Sequence, residues 1–188
     1  MSAQIPDKLN YIFKEYDIIA LSQPIGFHPL LYGMEPVPAT MNCWRGFRCC
    51  YSVERGDLLL KDLHINAELY PMINGVSAQE LLEDGAHHVY KDLNLLCDYT
   101  GMILAGADFL GDYFIPMGFQ RPWGYVEVKQ LKFENGKLTD VFDQSWKVEE
   151  MRRTRANARL GAQGDANDPK FVSECFSLAV DKKAAWIK

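Results

Sequence analysis

The chain has 188 residues, a length typical of one domain that buries a sizeable core without disulfides or metals. Hydrophobic residues make up 48% of it and charged residues 24%, ordinary proportions for a globular protein. A formal net charge of −5 argues against general nucleic-acid binding and fits a basic partner. No stretch approaches the ~18 consecutive apolar residues of a membrane helix.

The cysteines are five in number and include no Cys-x-x-Cys pair, which indicates reduced thiols packed as small hydrophobes. Cys49 and Cys50 are adjacent on a predicted strand and therefore point to opposite faces, poorly placed to bind one ion together. The first residues lack a basic segment followed by an apolar run. We therefore predict a cytoplasmic protein with no cofactor and no bound metal.

The N-terminal region is ambiguous. Pro6, Asp7 and Lys8 are a plausible helix start, with apolar residues following at helical spacing. Residues 16–21 either extend that helix or form a first strand. Residues 22–40 carry four prolines, too many for a regular element, yet they are apolar enough to predict an ordered loop.

Two hairpins are the clearest elements. Apolar side chains alternate along residues 47–53, as in a half-buried strand, and Arg55-Gly56 forms the turn to a second strand. The second hairpin covers residues 125–142, with Asn135-Gly136 at its turn.

The remaining segments give weaker signals. Val76 to Leu82 resembles a short helix with a capping box, and Leu93 to Leu104 reads as a strand with a bulge at Gly101. Residues 105–124 are predicted to form a long structured loop. A helix begins near Ser145, and Gly161 ends it.

These elements predict an α+β fold, mainly antiparallel β, shaped as a sandwich or a partial barrel with a C-terminal helix. We expect residues 1–188 to form a single domain. Residues 145–188 then form a helical C-terminal appendage packed on the sheet.

Candidate chemistry is sparse. His87 and His88 are adjacent and splay apart, which favours a solvated turn over a metal site. Cys97 beside Asp98 permits a nucleophile with a base, but no nucleophile elbow or phosphate-binding glycine motif supports it. We assign no catalytic residue, and the enzyme question stays open, leaning towards no.

The loop over residues 112–125 concentrates the side-chain types that are enriched in binding hot spots. Its candidate binding residues are Tyr113, Phe119, Arg121 and Trp123. The alternative is a loop that folds its aromatic side chains over an open end of the sheet.

The segment Thr40-Met-Asn-Cys-Trp-Arg-Gly-Phe47, followed by Gly56-Asp-Leu-Leu-Leu60, resembles small uncharacterised bacterial proteins. In those, a Thr-x-x-Trp-Arg-Gly-aromatic segment opens a strand that returns as Asp-x-Leu-x-Leu. The chain differs by one extra cysteine in the motif, and residues 145–188 lie outside the pattern. The resemblance implies a fold but no activity, so it carries over no catalytic residue.

The leading functional prediction is a non-catalytic protein-binding module of an immunity-like or regulatory kind. This prediction implies a protein partner and excludes nucleic acid and membrane as partners. It is compatible with an oligomer. The alternative is a small-molecule-binding protein or enzyme with a pocket within the β-sheet, using His87, His88, Cys97 or Asp98.

Overall fold

The computed structural model describes residues 2–83, 86–156 and 178, and the structural statements below concern those residues. They form ten strands, short 3-10 segments and one α-helix. The strands are β1 (Lys8–Tyr11), β2 (Lys14–Leu21), β3 (Phe47–Glu54), β4 (Asp57–Ile65), β5 (Gln79–Glu83), β6 (Ala86–Tyr90), β7 (Leu95–Leu96), β8 (Gly101–Phe109), β9 (Tyr125–Glu134) and β10 (Lys137–Asp143). The helix is α1 (Ser145–Ala156).

Most strands form one continuous ring. The order β10-β9-β8-β2-β1-β3-β4 ends where β10 pairs with β4, at Lys137 and Asp57. β1 and β3 run parallel, and the other pairs are antiparallel. β6 continues the sheet from β4 to the edge strand β5. The predicted α+β class with a mainly antiparallel sheet is confirmed, and the ring corresponds to the partial barrel of the two predicted shapes.

Both predicted hairpins are confirmed. β3 pairs with β4 along its whole length, and β9 pairs with β10. The turn residues Arg55 and Gly56 have φ of 53° and 85°, and Asn135 and Gly136 have φ of 50° and 76°. Positive φ at both turn positions matches the right-handed twist of the flanking strands, so these turns fix the register of each hairpin.

The N-terminal helix is not formed, and the strand alternative for residues 16–21 is the correct one. β1 bonds to β2 on one side and to β3 on the other, so its backbone groups are satisfied within the sheet. The β1–β2 turn is unusual because Ile12 and Phe13 both have positive φ, 46° and 59°. Their side chains are 68% and 109% exposed.

The predicted helix over residues 76–82 is also wrong, since Gln79–Glu83 is strand β5 and pairs with β6. Pairing at the sheet edge overrides a local helical pattern here. The predicted strand over residues 93–104 is interrupted, because Asp92 and Asn94 take positive φ (56° and 50°) and β8 begins only at Gly101. β8 then runs to Phe109, so the loop that follows is shorter than expected.

The apolar side chains form two clusters on opposite faces of the sheet. Neighbouring residues on β2 separate them, with Ile18 in the main core inside the ring and Ile19 in the smaller cluster. α1 starts at Ser145 as predicted and covers the smaller cluster with Val148, which is fully buried. The predicted end of this helix at Gly161 lies outside the described residues. In the described part of the chain, no helix has the length and apolarity needed to cross a membrane.

A charged network ties β2 to β9. Glu127 accepts hydrogen bonds from Lys14 Nζ at 2.5 Å and from the Tyr16 hydroxyl at 2.8 Å, and Lys129 Nζ lies 3.3 Å away. Burial works against the charge of Glu127, but these hydrogen bonds outweigh it and lower the pKa of its carboxyl group.

Candidate ligand-binding cavity

A cavity of about 630 Å³ lies at the end of the ring where β1 and β3 begin and β2 ends. Ligand-binding cavities in proteins commonly measure about 300–1,000 Å³. The lining is mainly apolar with a few polar groups, and it consists of Asp7, Leu21, Ser22, Gln23, Pro24, Ile25, Phe27, His28, Pro36, Arg45, Phe47, Cys49, Tyr51, Phe119 and Leu178. The backbone oxygen of Leu178 accepts a hydrogen bond from the Leu21 N–H at 2.7 Å.

β3 supplies one wall. Phe47, Cys49 and Tyr51 occupy alternate positions and therefore face the same side of the strand. Burial raises the pKa of the Cys49 thiol and of the Tyr51 hydroxyl well above their ordinary values. Both groups are therefore neutral near pH 7, and this wall adds no charge to the cavity.

A salt bridge between Arg45 and Asp7 provides the charged groups of the lining. Nη1 and Nη2 of Arg45 donate to Oδ2 and Oδ1 of Asp7 at 3.0 and 2.7 Å, a bidentate pair. The Cys49 N–H also donates to Asp7 Oδ1, at 2.7 Å. Burial disfavours the charge of Arg45, but Asp7 outweighs it and raises the pKa of the guanidinium. The Asp7 side chain is 7% exposed and that of Arg45 is 33% exposed.

Aromatic rings flank the guanidinium. Arg45 Cζ lies 5.0 Å from the ring centre of Phe47 and 5.9 Å from that of Phe119, both cation–π distances. These rings and the Asp7 carboxylate hold Arg45 in one orientation at the cavity.

The turn before β3 delivers Arg45 to this position. The Gly46 N–H donates to the Cys43 carbonyl at 3.0 Å, and the Asn66 N–H donates to the Gly46 carbonyl at 2.8 Å. Gly46 has φ of 70°, and a Cβ atom there would lie 2.7 Å from the backbone of Val37. Only glycine fits this turn without strain, which gives the Trp-Arg-Gly sequence a structural reason.

His28 lies at the mouth of the cavity, at the start of the 3-10 segment Pro29–Tyr32. Its Nδ1 accepts the Leu30 N–H at 3.3 Å, and its ring packs edge-on against Phe47 with centres 5.4 Å apart. Because Nδ1 is the acceptor, Nε2 carries the hydrogen of the neutral ring. His28 therefore offers one N–H donor beside the opening.

Of the four predicted binding residues, Phe119 lines the cavity and is 7% exposed. Tyr113, Arg121 and Trp123 are half-buried and lie outside the lining. The Trp123 carbonyl accepts a hydrogen bond from Arg152 of α1 at 3.2 Å. The structure therefore brings one predicted residue into the cavity and places the other three elsewhere in the same loop.

The residues of the alternative prediction do not form one site. His88 pairs with Ile65 on β4, whereas the Cys97 N–H bonds to Leu58 near the other end of that strand. Seven strand positions separate the two, roughly 20 Å at about 3.3 Å per residue. His88 stacks on Tyr70 with ring centres 3.7 Å apart, and burial raises the pKa of Cys97 to about 11. His87, His88, Cys97 and Asp98 all lie outside the cavity lining.

Three polar residues of the cavity were not predicted as a site. In the sequence, Asp7 fits a helix start, Arg45 belongs to the Trp-Arg-Gly segment, and His28 lies in the proline-rich stretch of residues 22–40. The signal available was positional, since Asp7 and Arg45 each stand just before a strand, where a side chain reaches the end of a ring. Among the described residues, no group of three or more His, Cys, Asp and Glu side chains is arranged to hold a metal ion.

Comparison with known proteins gives no relative, since no family model, curated protein or solved structure matches the chain.

Proposed function

We propose that this protein binds a small, largely apolar molecule in the cavity at the end of the strand ring. The observation that supports it best is the combination of volume and lining. About 630 Å³ is bounded mainly by apolar side chains, and two of the polar lining residues, Arg45 and His28, both pack against the ring of Phe47. Arg45 and His28 supply those polar groups with defined hydrogen-bond geometry. Such a combination is typical of small-molecule sites in proteins.

The polar groups are oriented before any ligand arrives. Asp7 fixes both terminal nitrogens of Arg45, and the hydrogen bond from Leu30 fixes the ring of His28. A ligand that enters does not have to order these side chains, which lowers the entropic cost of binding.

Titration with N-phenyl-1-naphthylamine, a neutral dye whose fluorescence rises in apolar surroundings, tests the proposal. We expect saturable binding of the dye by the wild-type protein. Ile25→Trp adds a bulky ring to the lining and should weaken binding at least tenfold. Gln23→Trp should do the same from an exposed position, where it removes one hydrogen bond to the Thr100 carbonyl and disturbs the core less than a change at the buried Ile25. Val126→Trp is the matched control, because Val126 is 46% exposed and lies outside the lining.

Saturable binding that both cavity variants weaken at least tenfold, with the control unchanged, supports the proposal. Absence of dye binding by the folded wild-type protein contradicts it. Equal binding by the wild type and by Gln23→Trp also contradicts it, since the dye then occupies another surface.

The protein-binding module remains a second candidate, and exposed apolar side chains on the segments that carry His28 and Arg45 favour it. Leu31 of the 3-10 segment that follows His28 is 72% exposed. Met41 and Trp44, which precede Arg45, are 62% and 55% exposed. Exposed apolar side chains mark a contact site where they form one continuous patch.

Affinity capture with quantitative mass spectrometry separates the surfaces on which a partner could dock. If the predicted loop anchors the partner, Arg121→Ala with Trp123→Ala reduces recovery of a specific protein while the variant remains folded. If the mouth is the contact surface, Leu31→Ser with Met41→Ser reduces it instead. Equal recovery with the wild type and both double variants contradicts this second candidate.

A further inference from the structure

The Arg45–Asp7 pair also restricts the chemical class of the ligand. The ion pair has no net charge, and Asp7 already provides the carboxylate that a free arginine side chain would otherwise attract. Its two oxygens accept two guanidinium hydrogens and the Cys49 N–H. A second carboxylate at Arg45 would therefore stand close to Asp7 and share one cation with it.

Such an arrangement is unfavourable inside this cavity. Two carboxylates beside one guanidinium leave a net negative charge among Phe27, Phe47 and Phe119. Desolvation and like-charge repulsion both disfavour that charge. In the described lining, Arg45 and Asp7 are the only residues among Lys, Arg, Asp and Glu.

A neutral acceptor meets no such cost. A guanidinium carries five N–H donors, and the bidentate contact with Asp7 uses two of them. The Arg45 side chain is 33% exposed while that of Asp7 is 7% exposed, so Arg45 is the more accessible member of the pair. The Nε2–H of His28 is a second donor in the same lining. The polar end of the cavity therefore presents donors to a ligand.

We propose that the cavity selects uncharged, largely apolar molecules that carry a carbonyl oxygen, and that it discriminates against the corresponding carboxylates. This inference rests on the proposed ligand-binding function. Asp7 is the positioning residue for the selection, because it compensates the charge of Arg45 and fixes the direction of its remaining donors.

Displacement of N-phenyl-1-naphthylamine by probes of similar size at neutral pH tests the selection. The probes are 2-acetylnaphthalene, a neutral ketone, 2-naphthoate, a carboxylate, and 2-ethylnaphthalene, which has no acceptor. Because the carboxylate of 2-naphthoate would be repelled by Asp7, its binding should be weakened. We expect the wild type to bind the ketone at least about tenfold more tightly than 2-naphthoate.

Two variants assign the selection to the pair. Asp7→Asn keeps an acceptor for Cys49 and removes the compensating charge, so the preference should reverse in favour of 2-naphthoate. Arg45→Met should weaken binding of the ketone and leave binding of 2-ethylnaphthalene unchanged, because only the ketone accepts a hydrogen bond. The comparison of the ketone with 2-naphthoate uses the wild-type protein alone. It therefore decides the chemical class of the ligand even if a substitution impairs folding.

The outcomes separate this inference from the proposed function. If the dye binds but 2-naphthoate displaces it as well as the ketone does, the selection is refuted and the cavity remains a binding site. Failure of both the ketone and 2-naphthoate to displace a bound dye likewise refutes the selection. Failure of the dye itself contradicts the proposed function and the selection with it.

Discussion

Removing one partner of the Arg45–Asp7 pair should destabilise the fold far more than removing a surface ion pair. The Asp7 carboxylate is only 7% exposed. Arg45→Met removes its two hydrogen bonds from the guanidinium and leaves the one from the Cys49 N–H. Breaking a buried ion pair costs about 3–5 kcal/mol, and exposed pairs contribute about 0.2–1 kcal/mol. Because the Arg45 side chain is 33% exposed, we expect Arg45→Met to lower the free energy of unfolding by about 3 kcal/mol, the lower end of the range for buried pairs.

A double-mutant cycle isolates the interaction itself. The variants are Arg45→Met, Asp7→Ala and both together, and we expect a coupling free energy of about 2 kcal/mol. Urea unfolding followed by tryptophan fluorescence gives each free energy of unfolding, provided that the slope with urea concentration is the same in all variants.

Glu149 and Arg153 on α1 provide the control cycle. Their side chains are 54% and 78% exposed, and they form an i,i+4 ion pair on the helix surface. Solvent screens this pair, so its coupling should be much smaller than that of Arg45 and Asp7. A coupling for Arg45 and Asp7 no larger than that of the control would refute the description of this pair as a buried, preorganised element of the cavity.

Three further changes test other parts of the structure. Replacing Ile12 with Asn and Phe13 with Gly removes the strain that a positive φ imposes on two bulky residues. The free energy of unfolding should rise by about 1–2 kcal/mol, seen as a melting temperature several degrees higher. An unchanged or lower melting temperature counts against a strained turn. Gly46→Ala forces a Cβ atom against the Val37 backbone. It should lower the free energy of unfolding measured in urea by about 2–3 kcal/mol and weaken dye binding. A decrease below about 0.5 kcal/mol contradicts the close approach. The lowered pKa of Glu127 means that its contribution to stability is present above the pKa of the unfolded state, about 4.3, and is lost as pH falls through the folded-state value. Glu127→Gln should therefore lose less stability than the wild type between about pH 5 and pH 3 in urea unfolding, and parallel pH profiles would rule this out.

The hairpins could be predicted because their signals are local. Alternating apolar residues and the turns Arg55-Gly56 and Asn135-Gly136 specify both the strands and their register. Weak local signals and one distant pairing explain the errors. β1 joins β2 through Ile12 and Phe13, which are not typical turn residues, and its other partner, β3, lies far along the chain. β5 is a five-residue strand whose sequence also fits a helix, so its pairing with β6 decides its conformation.

The cavity was harder to predict than the fold. Phe47, Cys49 and Tyr51 were correctly placed on one face of β3, but the same pattern describes a filled core and a cavity wall equally well. Asp7 and Arg45 are 38 residues apart in sequence, and their pairing depends on the parallel contact between β1 and β3. Phe119 was named for its residue type, and its position beside Arg45 depends on how the loop folds back.

Locating the bound molecule tests directly whether the cavity is a binding site. Titration of the ¹⁵N-labelled protein with N-phenyl-1-naphthylamine, followed by amide chemical shifts, shows which residues respond. We predict the largest changes at Ile25, Phe47, Cys49 and Tyr51, all in the cavity lining. Changes confined to exposed apolar positions such as Trp146, which is 60% exposed and outside the lining, would contradict binding in the cavity.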